Sequence, residues 1–237
     1  MIDLSGQRVL VIGGSSGIGL ATAQLACEQG AAVTIASRSA DKVSSAASSI
    51  GPSVIGQALD LTNDTAVETF FASAAAFDHV IVTGSQTSIA AVRDLPLETA
   101  YAAVNSKFWG FYRVARAAKI SSGGSLSVVS GFLASRPAAG RALMGAINAG
   151  LEALVRGLAL ELKPIRVNAV SPAVVRTEMW AEMTPEARAA MYARMSATYP
   201  AGRVGEPRDI ARQLLLLAAT GYATGTIVML DGGASIA

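Results

Sequence analysis

Four glycines, Gly13, Gly14, Gly17 and Gly19, enclose Ser15, Ser16 and Ile18 directly after the apolar run 9–12. A turn of this kind removes side chains where an anion must approach the backbone and leaves amide N–H groups exposed. Helix-compatible sequence then runs to Gly30, a natural stop, so a helix N-terminus is aimed at the same point. A helix dipole at an exposed end contributes only about 0.3–1 kcal/mol, so the amides matter at least as much. Strand, glycine turn and helix together point to phosphate binding; the plainer alternative is a tight turn that binds nothing. The next apolar run ends in Ser37 followed by Arg38. An arginine there can grip a phosphate with paired, charge-assisted hydrogen bonds, where a carboxylate would repel it. Its alternative is a solvated loop residue.

These residues must be positioned by the strands that precede them. Short apolar runs at 9–12, 32–36, 54–59, 80–82, 126–130, 166–170 and 227–230 alternate with helical stretches at 17–29, 41–50, 64–75, 97–118, 143–162 and 207–220. No linker or repeat interrupts them. The alternation predicts an α/β fold: a single-domain, Rossmann-like doubly wound parallel sheet of about seven strands, helices on both faces, spanning 1–237. Ligands bind such sheets at the carboxyl ends of the strands. Between the sixth and seventh strands, about 178–200, lies a segment with its own helical pattern, started by Thr184 and Pro185 and carrying Met179, Trp180, Met183, Met191, Tyr192 and Met195. It reads as an apolar lid over a pocket, or as a surface helix packed on the core or on another subunit.

Bulk composition narrows the class. With 237 residues, 51% hydrophobic and 15% charged, the chain can bury the sizeable core of one compact domain. A net charge of +2 with no basic run gives no footprint for nucleic acid. The one cysteine, Cys27, cannot form an internal disulfide and suits a reducing cytoplasm. The first residues lack the regions of a signal peptide, and no apolar run reaches membrane-spanning length, so a soluble cytoplasmic protein is expected. His79, the one histidine, begins the fourth strand away from the ligand side and reads as structural; no metal site is expected.

The glycine spacing, GxxxGxG, resembles the cofactor loop TGxxxGIG of the short-chain dehydrogenase/reductase family, with Ile12 in place of the Thr. Further landmarks follow in order across nearly the whole chain. Asp60 and Leu61 match the family's adenine-contacting Asp and its neighbour, and Gly84 lies in the altered NNAG stretch, here Val82, Thr83, Gly84 and Ser85. Asn105 stands where the resemblance places the active-site Asn. Ser171 and Pro172 through Thr177 resemble NPGxxxT, with Thr177 implied at the nicotinamide carboxamide. A dinucleotide-binding unit reads a ribose hydroxyl with an acid after the second strand and accommodates a 2′-phosphate with Arg. Ser37 and Arg38 therefore argue for NADP(H).

The catalytic positions depart from the family. Its Ser, Tyr and Lys fall on Gly131, Met144 and Asn148; the expected separations of thirteen and then four residues agree between two independent alignments. Carbonyl reduction makes an alkoxide, which in the family receives a proton from Tyr and a hydrogen bond from Ser. General acid catalysis contributes about 10²–10⁴-fold and one oxyanion donor about 10²–10³-fold, so losing both should abolish ordinary ketone chemistry unless something substitutes. Asn148 could still donate to the nicotinamide ribose. Candidate substitutes are Ser130, whose side chain should point elsewhere, Arg136 and Arg141, and Ser85, Gln86 and Asn105; Met144 and Met179 could wall an apolar pocket or simply pack.

The sequence thus reads as an NADP(H)-dependent oxidoreductase with an altered active site, acting on a small organic substrate such as an activated C=C bond, an iminium, a quinone or a carbonyl. Two readings remain beside it: a non-catalytic NADP(H)-binding sensor or scaffold, and a non-redox enzyme that keeps the dinucleotide. The resemblance also implies a homodimer or homotetramer built on the helices at 97–118 and 143–162.

Overall fold

A computed structural model describes residues 2–84 and 89–237. Strand β1 (Arg8–Ile12) is buried along Val9, Leu10, Val11 and Ile12 because both of its faces are covered. Val9 and Val11 turn to one core with Ile81, Leu25, Leu214 and Leu215, whereas Leu10 and Ile12 turn to the other with Val80, Phe71, Phe111 and Leu151. The period-two alternation of a strand thus puts a continuous apolar run into two separate cores.

β2 (Ala32–Ser37), β3 (Ile55–Ala58), β4 (Phe77–Val82), β5 (Ile120–Val129), β6 (Arg166–Pro172) and β7 (Ile227–Leu230) complete a parallel sheet in the order β3-β2-β1-β4-β5-β6-β7. The single Rossmann-like domain has the expected architecture. The order reverses between β1 and β4, which opens a crevice at their carboxyl ends. Helices α1 (Gly17–Glu28), α2 (Ala40–Ile50), α3 (Asp64–Ser73), α4 (Leu97–Val104), α5 (Gly110–Ala117), α6 (Ala142–Glu161), α7 (Pro185–Thr198) and α8 (Pro207–Ala219) connect the strands.

Two departures from the expected elements bear on the site. The helical stretch expected at 97–118 is broken by a π-helical turn, Asn105–Trp109, between α4 and α5. The segment at 178–200 is a short 3-10 turn, Glu178–Trp180, followed by α7, whose N-cap Thr184 accepts a hydrogen bond from the Ala187 amide at 3.3 Å. Tyr192, Tyr199 and Val204 give it a small core of its own, packed with Phe132, Trp180 and Met191. By length and composition alone, α6 is apolar enough to cross a bilayer. In the fold it covers the sheet, burying Ile147, Leu151, Val155 and Leu158.

His79 is buried beside β5 and β1: Nδ1 lies 2.8 Å from Ser125 Oγ and Nε2 lies 2.6 Å from Gln7 Oε1. Burial, aided by Arg166 and opposed by Asp78, pulls its imidazole down to about 4 from an ordinary 6.5. Below pH 6.5 the unfolded chain binds a proton that the folded chain refuses until about pH 4. Stability therefore falls as pH drops through that window, by at most about 1.4 kcal/mol per pH unit from this residue. Denaturant titrations from pH 7 to 4 should show that slope, and His79→Gln should flatten it.

Candidate cofactor cleft and active site

The crevice is built on one carbonyl. Ile12 O, at the end of β1, accepts from Thr83 N at 2.8 Å and from Gly84 N at 3.2 Å, while Gly13 N donates to Ala36 O at 2.8 Å. The ends of β1, β2 and β4 are thereby tied to the glycine loop. Gly13 has φ +87° and Gly17 φ +52°, both in the left-handed region that glycine favours. A Cβ at position 13 would strike the Gly84 amide, and one at position 19 would strike the Gly13 carbonyl. Such close backbone approach needs glycine for steric reasons as well. The N-cap of α1, Ser16, makes no side-chain capping bond, so the first-turn amides remain available to an anion.

A cleft of about 960 Å³ opens over this loop, lined by Gly13, Ser15, Ser16, Ser37, Arg38, Asp60, Leu61 and Gly84 among others. That volume suits a large small-molecule cofactor. Asp60 Oδ1 accepts from Thr62 N at 2.9 Å and from Thr62 Oγ1 at 2.8 Å, which fixes the carboxylate at the end of β3. Lys42, which sequence reasoning missed, lines the same cleft as Arg38. Its place on the first turn of α2 was the available signal. Of the other cofactor positions, Gly17 and Gly19 lie in the loop, while Ile18 packs against the core beneath it. Thr177 and Glu178 approach the start of α1, 3.2 and 3.3 Å from where a Cβ on Gly17 would stand. Pro172 is buried at the end of β6, paired with Leu230.

A second group of polar residues gathers at the end of β5. Gly131 follows it with φ 161°, extended backbone that any residue adopts, so glycine there is not a backbone requirement. The requirement is spatial: a Cβ on Gly131 would stand 2.6 Å from Asn148 Nδ2. Asn148, buried on α6, accepts from Lys107 Nζ at 2.7 Å through Oδ1. Lys107, in the π-helical turn, also donates to Ser130 O at 2.9 Å. Burial draws its ammonium down to about 8 from 10.5, opposed by the charge of Glu152. Glu152 is itself buried and accepts from Ser130 Oγ at 2.9 Å.

The structure thus brings Gly131 and Asn148 together and adds Lys107 and Glu152, neither of which was expected. Asn105 has no side-chain bond among the described contacts; its carbonyl accepts from Arg113 Nη1 at 3.3 Å. The residue of the π-helical turn that reaches the β5 end is Lys107 instead. Met144 is half-buried in the first turn of α6, and Met179 is exposed. Ser130 Oγ donates to Glu152 on α6 rather than standing free. Arg136 donates to Ser235 O at 3.2 Å, and Arg141 stands at the N-cap of α6, where burial lowers its pKa. Ser85 and Gln86 lie outside the described residues. No cluster of potential metal ligands occurs among the described residues.

Residues 12–235 match a family model described as enoyl-(acyl carrier protein) reductase. The short-chain dehydrogenase/reductase ATR9 of Stachybotrys chlorohalonatus is 32% identical over 251 residues, covering 99% of each chain. The chain belongs to the short-chain dehydrogenase/reductase family. Such relatives are oxidoreductases, which makes this chain one by descent. A small-chain dehydrogenase solved in complex with NADPH is 36% identical with a TM-score of 0.85, covering 98% of this chain and 99% of its own. An NADPH-bound short-chain oxidoreductase from Pseudomonas aeruginosa with an atypical catalytic center is 27% identical with a TM-score of 0.92, covering 100% of both chains.

Within this short-chain dehydrogenase/reductase, Gly131 and Asn148 behave as one unit. Gly131→Ala must displace the Asn148 amide and cost about 1–3 kcal/mol. In an Asn148→Ala background the clash disappears, so a double-mutant cycle by urea denaturation should give a coupling of about 1 kcal/mol or more.

Proposed function

We propose that the protein is an NADP(H)-dependent oxidoreductase that transfers hydride to or from a small organic substrate in an altered active site. The observation that carries this reading is the glycine cradle opening into a cleft where Arg38, in place of an acid, directly follows Ser37, with Asp41 and Lys42 further along the same lining. Arg38 at that place favours a 2′-phosphate over a bare ribose hydroxyl. Bound cofactor would supply the hydride. The amides of Gly13, Ser15, Ser16 and Gly17 would hold its diphosphate, Asp60 and Leu61 would border the adenine, and Gly84, Pro172 and Thr177 would flank the nicotinamide. Asn148 could donate to the ribose through Nδ2, since its Oδ1 is occupied by Lys107.

Met144 has no proton to give and Gly131 no side chain. The site therefore suits substrates whose reduction needs little help from the usual tyrosine, such as an activated C=C bond, an iminium or a quinone. Segment 178–200 serves as the lid, with Met179 exposed at its start. The exposed aromatic side chains of Tyr101, Trp109 and Tyr112, with Leu160 on α6, support a homodimer or homotetramer. The missing triad also favours a second reading, a protein that binds NADP(H) without turning it over.

Fluorescence titration with NADPH and NADH tests the reading, followed by NADPH oxidation with ketones, enones, imines and quinones. Turnover of the activated acceptors but not of simple ketones is expected. NADPH binding without turnover of any acceptor would select the second reading. A hydrogen bond to a charged group contributes about 1.5–3 kcal/mol. Arg38→Ala should therefore weaken NADPH binding by about 10–100-fold and leave NADH within about threefold. Equal losses for both would refute the assignment of Arg38 to the 2′-phosphate.

A further inference from the structure

We propose that Lys107 is the proton donor of this active site, taking the part for which Met144 has no group. The inference rests on the reductase reading above and concerns the residue that completes it.

The placement comes first. Lys107 lies in the π-helical turn next to Ser106, which lines the cofactor cleft. Its Nζ meets the two residues that flank the altered centre, Asn148 through Oδ1 and Ser130 through its carbonyl. An ammonium has three donors, and these two acceptors take two of them, so one N–H remains for a substrate atom. The residue as a whole is half-buried, and its ammonium lies at the buried end.

The partners are also suited to releasing a proton. Both acceptors are neutral oxygens, and no ion pair involves Lys107 among the described residues. The carboxylate that faces it, Glu152 on α6, accepts a hydrogen bond from the Ser130 hydroxyl instead. Met144 and Asn148 on α6, Ser130 and Gly131 after β5, and Thr83 and Gly84 after β4 add no charge. A carboxylate bonded directly to the ammonium would hold the proton. Glu152, at one remove, keeps a buried cation tolerable without locking it, and burial brings the ammonium down to about 8. An acid with a pKa near the working pH stays protonated and still gives its proton up readily.

In the step itself, the substrate that has accepted a hydride carries a new electron pair on oxygen, nitrogen or carbon. One N–H bond of Lys107 breaks, the proton joins that pair, and a neutral amine is left. The amine then takes a proton from water, and one substrate molecule has gained two electrons and two hydrogens.

The test uses the whole protein with NADPH and two probes: 9,10-phenanthrenequinone and 2-cyclohexenone. Lys107→Met, measured at saturating NADPH, should lower kcat by about 10²–10⁴-fold. Lys107→Arg keeps the charge but holds its proton too tightly to donate it, and should lose kcat comparably. The unaltered protein should lose kcat as pH rises above about 8. A readout independent of turnover is the rate at which acetic anhydride acetylates Lys107, followed by peptide mass spectrometry. That rate should rise with a midpoint near pH 8. Variants that keep kcat within threefold and retain the alkaline limb would overturn the assignment and leave the reductase reading standing. Acetylation of Lys107 that rises only above pH 10 would also overturn it. If the unaltered protein binds NADPH but oxidises it with neither probe, both readings fall together.

Discussion

The close approach of two backbones at the ends of β1 and β4 is the constraint on which the rest of this structure depends. Ile12 O accepts from both Thr83 N and Gly84 N, and there is no room for a side chain at Gly13 or Gly19. That contact sets where the sheet order reverses, where α1 begins and which amides face the cleft. It follows from parallel pairing: Ile12 is in register with both Ala36 and Val82, so three strands end together. Buried apolar residues on both faces of β1 keep that register, because a one-residue slip would exchange the residues of the two cores.

The altered centre depends on a different set of elements. Gly131, Asn148, Ser130 and Lys107 come from the end of β5, from α6 and from the π-helical turn. Their substitutions are mutually consistent. Losing the side chain at 131 makes room for the Asn148 amide, and Asn148 turns its oxygen to Lys107. A serine at 131 with Asn148 unmoved would clash, and a lysine at 148 would bring a second cation beside Lys107. Two of the three losses that look separate in the sequence, at 131 and 148, are in the structure a single cluster with one cation at its centre.

Most of the fold was legible because parallel strands buried on both faces write themselves as short apolar runs, and helix starts carry their own signals, as Thr184 and Pro185 do before α7. The glycine loop was legible for a similar reason, since a left-handed φ and a close backbone contact both demand glycine. Lys107 was not legible. The resemblance directed attention to Asn105, and ordinary 3.6-residue periodicity gives no warning of a π-helical turn, whose hydrogen bonds span one residue more and rotate the following side chains. Glu152 was equally hidden, because an acid within an apolar helix reads as a solvated position until its partner, Ser130, is seen beneath it.

Because the phosphate cradle and the altered centre are positioned by different strands, one can change without the other. The cradle answers to β1, β2 and β4, whose contacts would be the same with any residue at 131, 144 or 148. The centre answers to β5 and α6, where the buried stripe of Ile147, Leu151, Val155 and Leu158 fixes the helix whatever side chain faces the site. Replacement of Ser, Tyr and Lys therefore removes groups from the chemistry without removing the platform that presents a cofactor. On the proposed reading, the departure that matters most for turnover falls at the step after hydride transfer, where charge appears on the substrate. At that point the structure offers the buried ammonium of Lys107, held by two neutral oxygens.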